Sequence, residues 1–250
     1  MYRIGIVIPV RYESTRLPGK CFLPFNNTPA LKIITDRLKA IEYFSKIILA
    51  MPHTSNWPIF KCFCETNGLT FFMDENIKND DVLTRVFHAA LKYNLDYVFE
   101  TTQDCPLVTS SHIERMSALV TQYSYDCVTN NGVNRVIPDG ADLQVMPIYS
   151  LRKLSDIVVN PIHRSHLFWN ALIRTDKFGC RNLTFDEKYH HPDWRFCLDT
   201  IEDYQLLTKI FNHFGRNDFS IEEATEYVSK NKYLLEINKK IIVKNPYEEM

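Results

Sequence analysis

Short apolar runs alternate with segments of helical periodicity along the first half of the chain. The runs at 3–10, 45–51, 69–73, 96–102 and 126–130 have the length and residue types of buried strands. Between them, apolar residues recur every three or four positions, as they do on one face of a helix. This alternation predicts an α/β fold in which a mostly parallel sheet carries helices on both faces.

Helix starts are marked by several local signals. Pro29 opens one helical segment, and two others are expected at 57–65 and 82–93. Three further helices are predicted where a Ser or Thr is followed three residues later by an acidic residue, a capping-box pattern. These pairs are Ser111 with Glu114, Thr200 with Asp203, and Ser220 with Glu223.

The regular alternation ends near residue 130. Segments 141–148 and 195–199 are predicted as further strands of mixed direction. The stretch from about 131 to 190 is the least regular part of the chain, and we expect it to shape the substrate side. No repeat or linker divides the sequence, so residues 1–250 are predicted to form a single domain.

Composition and charge exclude several classes of protein. The formal net charge is −1, which argues against a nucleic-acid-binding domain. No apolar run approaches the roughly 20 residues that a membrane-spanning helix needs, and the first residues resemble a strand rather than a signal peptide. A protein of the cytosol without membrane or nucleic-acid partners is therefore expected.

A cationic loop, "RYESTRLPGK", follows the first predicted strand. Arg11, Arg16 and Lys20 offer positive charge, and Ser14 offers a hydroxyl group. Gly19 permits close approach of the backbone. In open parallel sheets ligands bind beyond the carboxyl ends of the strands, so this loop is a candidate polyphosphate site. A solvated basic loop without a ligand is the alternative.

Two aspartates follow other predicted strands. Asp104 comes after the fourth strand and Asp199 after the late one, which places both at the same edge of the sheet. Carboxylates and phosphate oxygens are ligands that Mg²⁺ prefers, so the pair is a candidate Mg²⁺ site. Alternatively, Asp104 simply ends a strand and Asp199 precedes a helix cap. The glycine-rich fingerprints of dinucleotide-binding proteins and P-loop NTPases are absent.

Several motifs, in order, resemble one enzyme family. The loop within "IPVRYESTRLPGK" resembles the signature of cytidylyltransferases that activate acidic sugars, the CMP-Kdo and CMP-sialate synthetase group. The resemblance is strongest to spore-coat polysaccharide proteins of the SpsF type, and it extends to about Phe214. The motifs that carry it further are "DDVLTR", "TTQDCPLV", "PDGADLQVM", "HRSHLFWNAL" and "HPDWRFCLDTIEDYQLL".

The resemblance implies a Rossmann-like fold of the nucleotide-diphospho-sugar transferase type. It also implies Mg²⁺-dependent transfer of CMP from CTP to an acidic sugar or similar anionic acceptor for surface-glycan synthesis, and a homodimer. Lys20, Arg11 and Asp104 would be catalytic, and Asp104 and Asp199 would hold Mg²⁺. The nucleotide-binding residues implied are Arg11, Ser14, Arg16, Lys20, Asp81, Arg85 and Gln103.

The acceptor site is less well marked. An anionic acceptor needs further cations, and the candidates in the irregular half are Arg135, His163, Arg164 and His166. Ordinary polar packing is the alternative for the two histidines. A phosphorylated or phosphonylated acceptor, a non-catalytic nucleotide-binding protein and a glycosyltransferase of related fold stay open as alternatives. The sequence leaves the role of the C-terminal segment 231–250 undecided.

Overall fold

The computed structural model describes residues 2–241. Its strands are β1 (Ile4–Pro9), β2 (Pro24–Phe25), β3 (Thr28–Pro29), β4 (Phe44–Ala50), β5 (Thr70–Phe72), β6 (Tyr97–Glu100), β7 (Cys127–Thr129), β8 (Gln144–Pro147) and β9 (Cys180–Asn182). Seven of them form one sheet in the order β5-β4-β1-β6-β8-β7-β9, while β2 and β3 form a small hairpin. Within the large sheet, β8 alone runs antiparallel to its neighbours. The sequence-based prediction of a mostly parallel sheet is therefore confirmed.

The helices are α1 (Ala30–Lys39), α2 (Trp57–Asn67), α3 (Val82–Lys92), α4 (Ser110–Gln122), α5 (Ile148–Ile157), α6 (Trp169–Leu172), α7 (Ile201–Phe214) and α8 (Ile221–Lys230). They cover both faces of the sheet, because side chains alternate along each strand. On β1, Ile6 and Ile8 pack with α1, α2 and α4, whereas Val7 packs with α3 and α5. Helices α7 and α8 form a third apolar cluster against α1.

The predicted strand at 195–199 is wrong. Its backbone makes only an isolated bridge, between Arg195 and Asp139. The amide of Phe196 donates to the carbonyl of Asp139, but the amide of Leu198 donates to the carbonyl of Asp104. Because its hydrogen bonds are divided between two segments, this stretch does not form a ladder along one strand.

Two of the three predicted capping boxes are confirmed. Thr200 begins α7 and Ser220 begins α8, each with reciprocal hydrogen bonds to the acidic residue three positions later. The box at Ser111 is wrong, because α4 already starts at Ser110 after Thr109. The Thr109 hydroxyl donates instead to the carbonyl of Leu107.

Residues 232–241 of the C-terminal segment pack against the body of the protein. A 3₁₀ helix, Lys232–Ile237, places Leu234 in the cluster formed by α7 and α8. Asn238 is buried just after it. The remainder of the segment, 242–250, lies outside the described residues.

Candidate active site

A cavity of about 420 Å³ opens where the carboxyl ends of β1 and β6 meet. The antiparallel strand β8 brings its amino end to the same edge. The cavity is lined by the loop after β1, the start of α3, the ends of β6 and β8, and the segment 165–172. The predicted location of the site, beyond the strand ends, is therefore where the structure has its cavity.

The loop after β1 folds back so that Lys20 points towards this edge. Gly19 has a φ of +67°, and a Cβ atom there would lie 3.3 Å from the ring of Tyr12. The amide of Gly19 donates to the carbonyl of Tyr12, which closes the loop. A glycine suits this turn because other residues rarely adopt a positive φ.

The ammonium group of Lys20 lies between the two predicted metal ligands. Its Nζ is 2.7 Å from Asp104 Oδ2 and 2.5 Å from Asp199 Oδ1. Burial by itself lowers the pKa of Lys20, but the charges of Asp104 and then Asp199 outweigh it and raise the pKa. The structure thus brings together Lys20, Asp104 and Asp199, three of the four residues that the resemblance implies for catalysis and metal binding.

Asp104 is held as a carboxylate. Burial alone raises its pKa, but the charge of Lys20, together with hydrogen bonds from Lys20 and Thr102, outweighs burial and holds the pKa well below its usual range. The Thr102 hydroxyl donates to Asp104 Oδ1. Asp104 is therefore ionised and ready to bind a cation at neutral pH.

Asp199 is oriented by two arginines. Arg16 Nη2 and Arg195 Nη2 each donate to Asp199 Oδ2 at 2.8 Å. Arg16 was predicted to bind the nucleotide, and in the structure it joins the cationic loop to this carboxylate. Arg195 was not predicted, although it lies within the quoted "HPDWRFCLDTIED" motif.

Behind Arg195 lies a buried polar network that the sequence analysis missed. The Asp203 carboxylate is fully buried and accepts hydrogen bonds from Arg195 Nε and from the amide of Asp199. Asn238 Nδ2 donates to Asp203 Oδ1 at 3.0 Å and to the carbonyl of Arg195 at 2.9 Å. The C-terminal segment therefore helps to position Asp199 through Arg195 and Asp203.

Gln103 fixes the backbone of the cationic loop. Its Nε2 donates to the carbonyl of Arg11 at 2.9 Å, and its Oε1 accepts from the amide of Arg11 at 3.0 Å. Both residues line the cavity. Ser14 is buried and lies outside the cavity lining. Gln103 is thus placed to position Arg11.

Asp81 and Arg85, both predicted to bind the nucleotide, have different roles at the start of α3. Asp81 caps the helix by accepting from the amide of Thr84 at 2.9 Å, and it pairs with Arg164 Nε at 2.9 Å. Arg85 lines the cavity, is only 3% exposed, and has a buried Nε without a hydrogen-bond partner among residues 2–241. Burial lowers the pKa of Arg85 to about 10, and the charges of Asp81 and Asp80 partly oppose this shift. Arg85 is therefore the cavity-facing cation of this region.

The cations predicted to bind the acceptor are mostly engaged within the protein. Arg135 makes two hydrogen bonds of 3.0 Å to the carboxylate of Asp142. Arg164 pairs with the carboxylate of Asp81, which caps α3. His163 Nε2 is buried without a hydrogen-bond partner in the described part of the chain, and the residue is outside the cavity lining, whereas His166 lines the cavity.

Glu100 and Gln144 form a second cavity wall that the sequence analysis missed. They lie opposite each other on β6 and β8. The Gln144 amide, with its nitrogen towards β6, donates to Glu100 Oε2 at 2.6 Å. Burial, followed by the charges of Asp104 and Asp142, raises the pKa of Glu100 to about 8.

The donor set at Asp104 and Asp199 fits Mg²⁺. One cationic nitrogen already lies within ion-pair distance of both carboxylates, so a single cation can contact the two. Among residues 2–241, no group of three or more His, Cys, Asp or Glu side chains is arranged to hold a metal. Two carboxylates completed by phosphate oxygens and water is a common Mg²⁺ environment.

Comparison with known proteins decides the family. The family described as "Cytidylyltransferase" matches residues 5–241. The chain belongs to the cytidylyltransferase family. The nucleotidyltransferase activity and the family suggested by the motifs are confirmed.

This cytidylyltransferase resembles several known proteins along its length. A solved cytidylyltransferase from Leptospira borgpetersenii is 27% identical, with a TM-score of 0.86, and the match covers 98% of this chain and 100% of that one. The spore coat polysaccharide biosynthesis protein SpsF of Bacillus subtilis is 23% identical over 92% of this chain and 96% of its own length. A CMP-2-keto-3-deoxy-manno-octonic acid synthetase solved with CTP has the same fold, with 14% identity and a TM-score of 0.62 over 84% of this chain and 99% of that one.

Among the described residues, the enzyme has no helix that is both long and apolar enough to cross a membrane.

Proposed function

We propose that the protein transfers CMP from CTP to a hydroxyl group of a sugar acceptor and releases pyrophosphate, with Mg²⁺ held by Asp104 and Asp199. The observation that carries this proposal is the position of Lys20 Nζ, within 2.7 Å of Asp104 and 2.5 Å of Asp199 at the cavity. The CTP complex of a related fold and the sugar pathways named for the relatives support it.

In this reaction an acceptor oxygen attacks the α-phosphorus of CTP. A new O–P bond forms, the bond to the β-phosphate breaks, pyrophosphate leaves and the acceptor hydroxyl loses its proton to solvent. When bound, Mg²⁺ supplies positive charge that neutralises the phosphate oxygens.

The protein's own residues bind and orient the triphosphate. Arg11 and Arg85 face the cavity and offer guanidinium donors to phosphate oxygens. The ammonium group of Lys20 sits on a flexible side chain. A change of rotamer would move it from the carboxylates to the phosphates. Gln103 keeps the backbone of Arg11 fixed. Catalysis therefore rests on positioning and electrostatics.

The anionic acceptor expected from the sequence is only partly supported. Arg135 and Arg164 are paired with carboxylates, and of the two predicted histidines His166 lines the cavity. A homodimer and a cytosolic location stay predictions from the sequence, as does a role in making surface glycans.

The proposal is tested by measuring the release of pyrophosphate from CTP in the presence of Mg²⁺. Each reaction contains one acceptor from a panel of sugars, sugar acids, sugar phosphates and phosphonates. Asp104→Asn should reduce release by roughly a hundredfold or more, because it removes a charged ligand at the transfer site. Asp186→Asn is the matched control, because Asp186 is exposed and is not part of the cavity lining.

Three results would count against the proposal. No binding of CTP would refute it, and tighter binding of UTP or GTP would refute the choice of base. CTP binding without release of pyrophosphate in the presence of any acceptor would favour a non-catalytic nucleotide-binding protein.

A further inference from the structure

Cys127 and Cys180 lie side by side at one edge of the sheet. They are directly paired residues on β7 and β9, and β9 is the last strand in the order of the sheet. Because the two strands are parallel and in register at this point, both side chains point to the same face. Cys127 belongs to the apolar cluster on that face, and Cys180 packs against the same cluster. The two thiols therefore meet.

The spacing of the two residues suits a disulfide bond. Neighbouring strands lie about 4.8 Å apart, and disulfides join residues whose Cα atoms are roughly 4.4 to 6.8 Å apart. The thiol of Cys127 is hydrogen-bonded to the sulfur of Cys180, and neither cysteine is in a disulfide. A bond between them requires a small shift of β9, which is three residues long and ends the sheet.

The two thiols differ in access and in acidity. Cys180 is half-buried, whereas Cys127 is fully buried. The hydrogen bond from Cys127 lowers the pKa of Cys180, although burial and the charge of Asp126 oppose this shift. The same hydrogen bond, together with burial, raises the pKa of Cys127. Cys180 is therefore the thiol that an oxidant reaches and the one that ionises first.

Cys180 also supports a wall of the cavity. Its thiol donates to the carbonyl of Ala171 in α6 at 3.6 Å, and Trp169 and Leu172 of the same helix line the cavity. A sulfur in a disulfide carries no hydrogen, so this hydrogen bond is lost when the bond forms. A chemical change at the sheet edge would thus reach the cavity through α6.

We propose that Cys127 and Cys180 are a redox-sensitive pair, which a peroxide closes to a disulfide and a thiol reductant reopens, and that closure changes the cavity wall at α6. First, the Cys180 thiolate attacks hydrogen peroxide: an S–O bond forms, the O–O bond breaks, and the hydroxide that leaves is protonated to water. The sulfur of Cys127 then attacks the sulfur of this sulfenic acid. The S–S bond forms, the S–O bond breaks, and water leaves with the proton of Cys127. The pair loses two electrons, and the peroxide is reduced to two molecules of water.

Peptide mapping of the full chain after treatment with hydrogen peroxide tests the bond. Trypsin cuts the chain so that Cys127 lies in peptide 116–135 and Cys180 in peptide 178–181, each without a second cysteine. Mass spectrometry should find these two peptides linked, with the loss of two hydrogen atoms, and should find them separate after dithiothreitol. The thiols that react in the denatured protein should fall by two from the seven of the reduced chain.

Three variants assign the chemistry to each thiol. Cys127→Ala should leave Cys180 as a sulfenic acid, which dimedone traps, because the second sulfur is missing. Cys180→Ser should leave Cys127 as an unreacted thiol, because its sulfur is buried. Cys62→Ser is the matched control: Cys62 is exposed, and the neighbouring Cys64 is buried on another face of α2, so the linked peptides should still form. Thermal melting confirms that each variant is folded.

Tryptophan fluorescence tests the effect on α6. The chain has three tryptophans, and replacing Trp57 and Trp194 by Phe leaves Trp169 as the reporter at the cavity. Its emission maximum should shift on treatment with peroxide and return with dithiothreitol. The same protein carrying Cys127→Ala should show no shift, because it cannot form the disulfide.

The outcomes decide both parts of the inference. Oxidation of the exposed Cys62 while Cys127 and Cys180 keep their thiols, or linkage of either one to another cysteine, would overturn the pair. An unchanged emission of Trp169 while the linked peptides form would overturn the effect on the cavity wall. None of these measurements uses CTP or an acceptor, so failure of the proposed function would leave the result intact.

Discussion

Replacement of Glu100 by Gln should change how stability depends on pH. Glu100 lies at the end of β6, is almost completely buried, and has a pKa raised to about 8 from the ordinary 4.5, first by burial and then by Asp104 and Asp142. A raised pKa in the folded state means that folding disfavours the ionised form of the group. The contribution of Glu100 to stability is therefore fully present below its pKa in the unfolded chain. It is lost as pH rises through its pKa in the folded protein.

The size of the effect follows from the two pKa values. Between 4.5 and 8, each pH unit lowers the free energy of unfolding by about 1.4 kcal/mol through this one group. From about pH 5 to about pH 7 the loss is about 2.5 kcal/mol, because ionisation in the unfolded chain is not quite complete at the lower pH. Glutamine is uncharged at every pH, so Glu100→Gln should avoid this loss.

Urea unfolding of both proteins at several pH values, in the presence of EDTA, measures the difference. The variant should gain about 2.5 kcal/mol relative to the unmodified protein between about pH 5 and about pH 7. Glu42→Gln, at an exposed position, should give a constant difference. A pH-independent difference for Glu100→Gln, or one that shrinks as pH rises, would show that burial does not penalise this carboxylate.

Three further substitutions test the site and its support. Lys20→Ala should lower pyrophosphate release by roughly a hundredfold, because the cation shared by the two carboxylates is lost; normal turnover would exclude a catalytic role. Asn238→Ala removes hydrogen bonds to Asp203 and the backbone, and should cost about 1–3 kcal/mol in urea unfolding, whereas an unchanged midpoint would show that they are dispensable. Gly140→Ala should lower the free energy of unfolding by about 3 kcal/mol or more, because φ is +119° and the new Cβ would lie 2.3 Å from the carbonyl oxygen of Phe196. A melting temperature equal to that of the unmodified protein would contradict this.

The sequence predicted the elements whose pattern is local. Buried strands such as β1 and helices with capping boxes such as α7 depend on neighbouring residues, so periodicity and caps were sufficient. The strand at 195–199 failed because its hydrogen bonds depend on two distant segments. Lys20 and Asp104 lie at the carboxyl ends of β1 and β6 as the topology rule suggested, whereas Asp199 meets them from a segment that is not a strand.

The sequence could not predict the side chains that line the cavity from a strand or hold the site residues in place from distant segments. Glu100 falls within a run typical of a strand, and nothing local shows that its side chain faces a cavity. Arg164 was assigned to the acceptor because it is a cation in the irregular half, yet its partner is a helix cap 83 residues away. Asn238 bonds to Asp203 across 35 residues. Such pairings depend on how distant segments pack together.

The order in which the site can form follows from these distances along the chain. Lys20 pairs with carboxylates that lie 84 and 179 residues further on, and Asn238 completes the network behind the second of them. During synthesis on the ribosome, the strands β1, β4 and β6 can pair long before residue 199 emerges, so a folded sheet would exist with the cationic loop still lacking its second carboxylate. We therefore expect nucleotide transfer only after Asp199 has been added and has folded against Lys20, and products terminated before it would carry much of the fold without its activity.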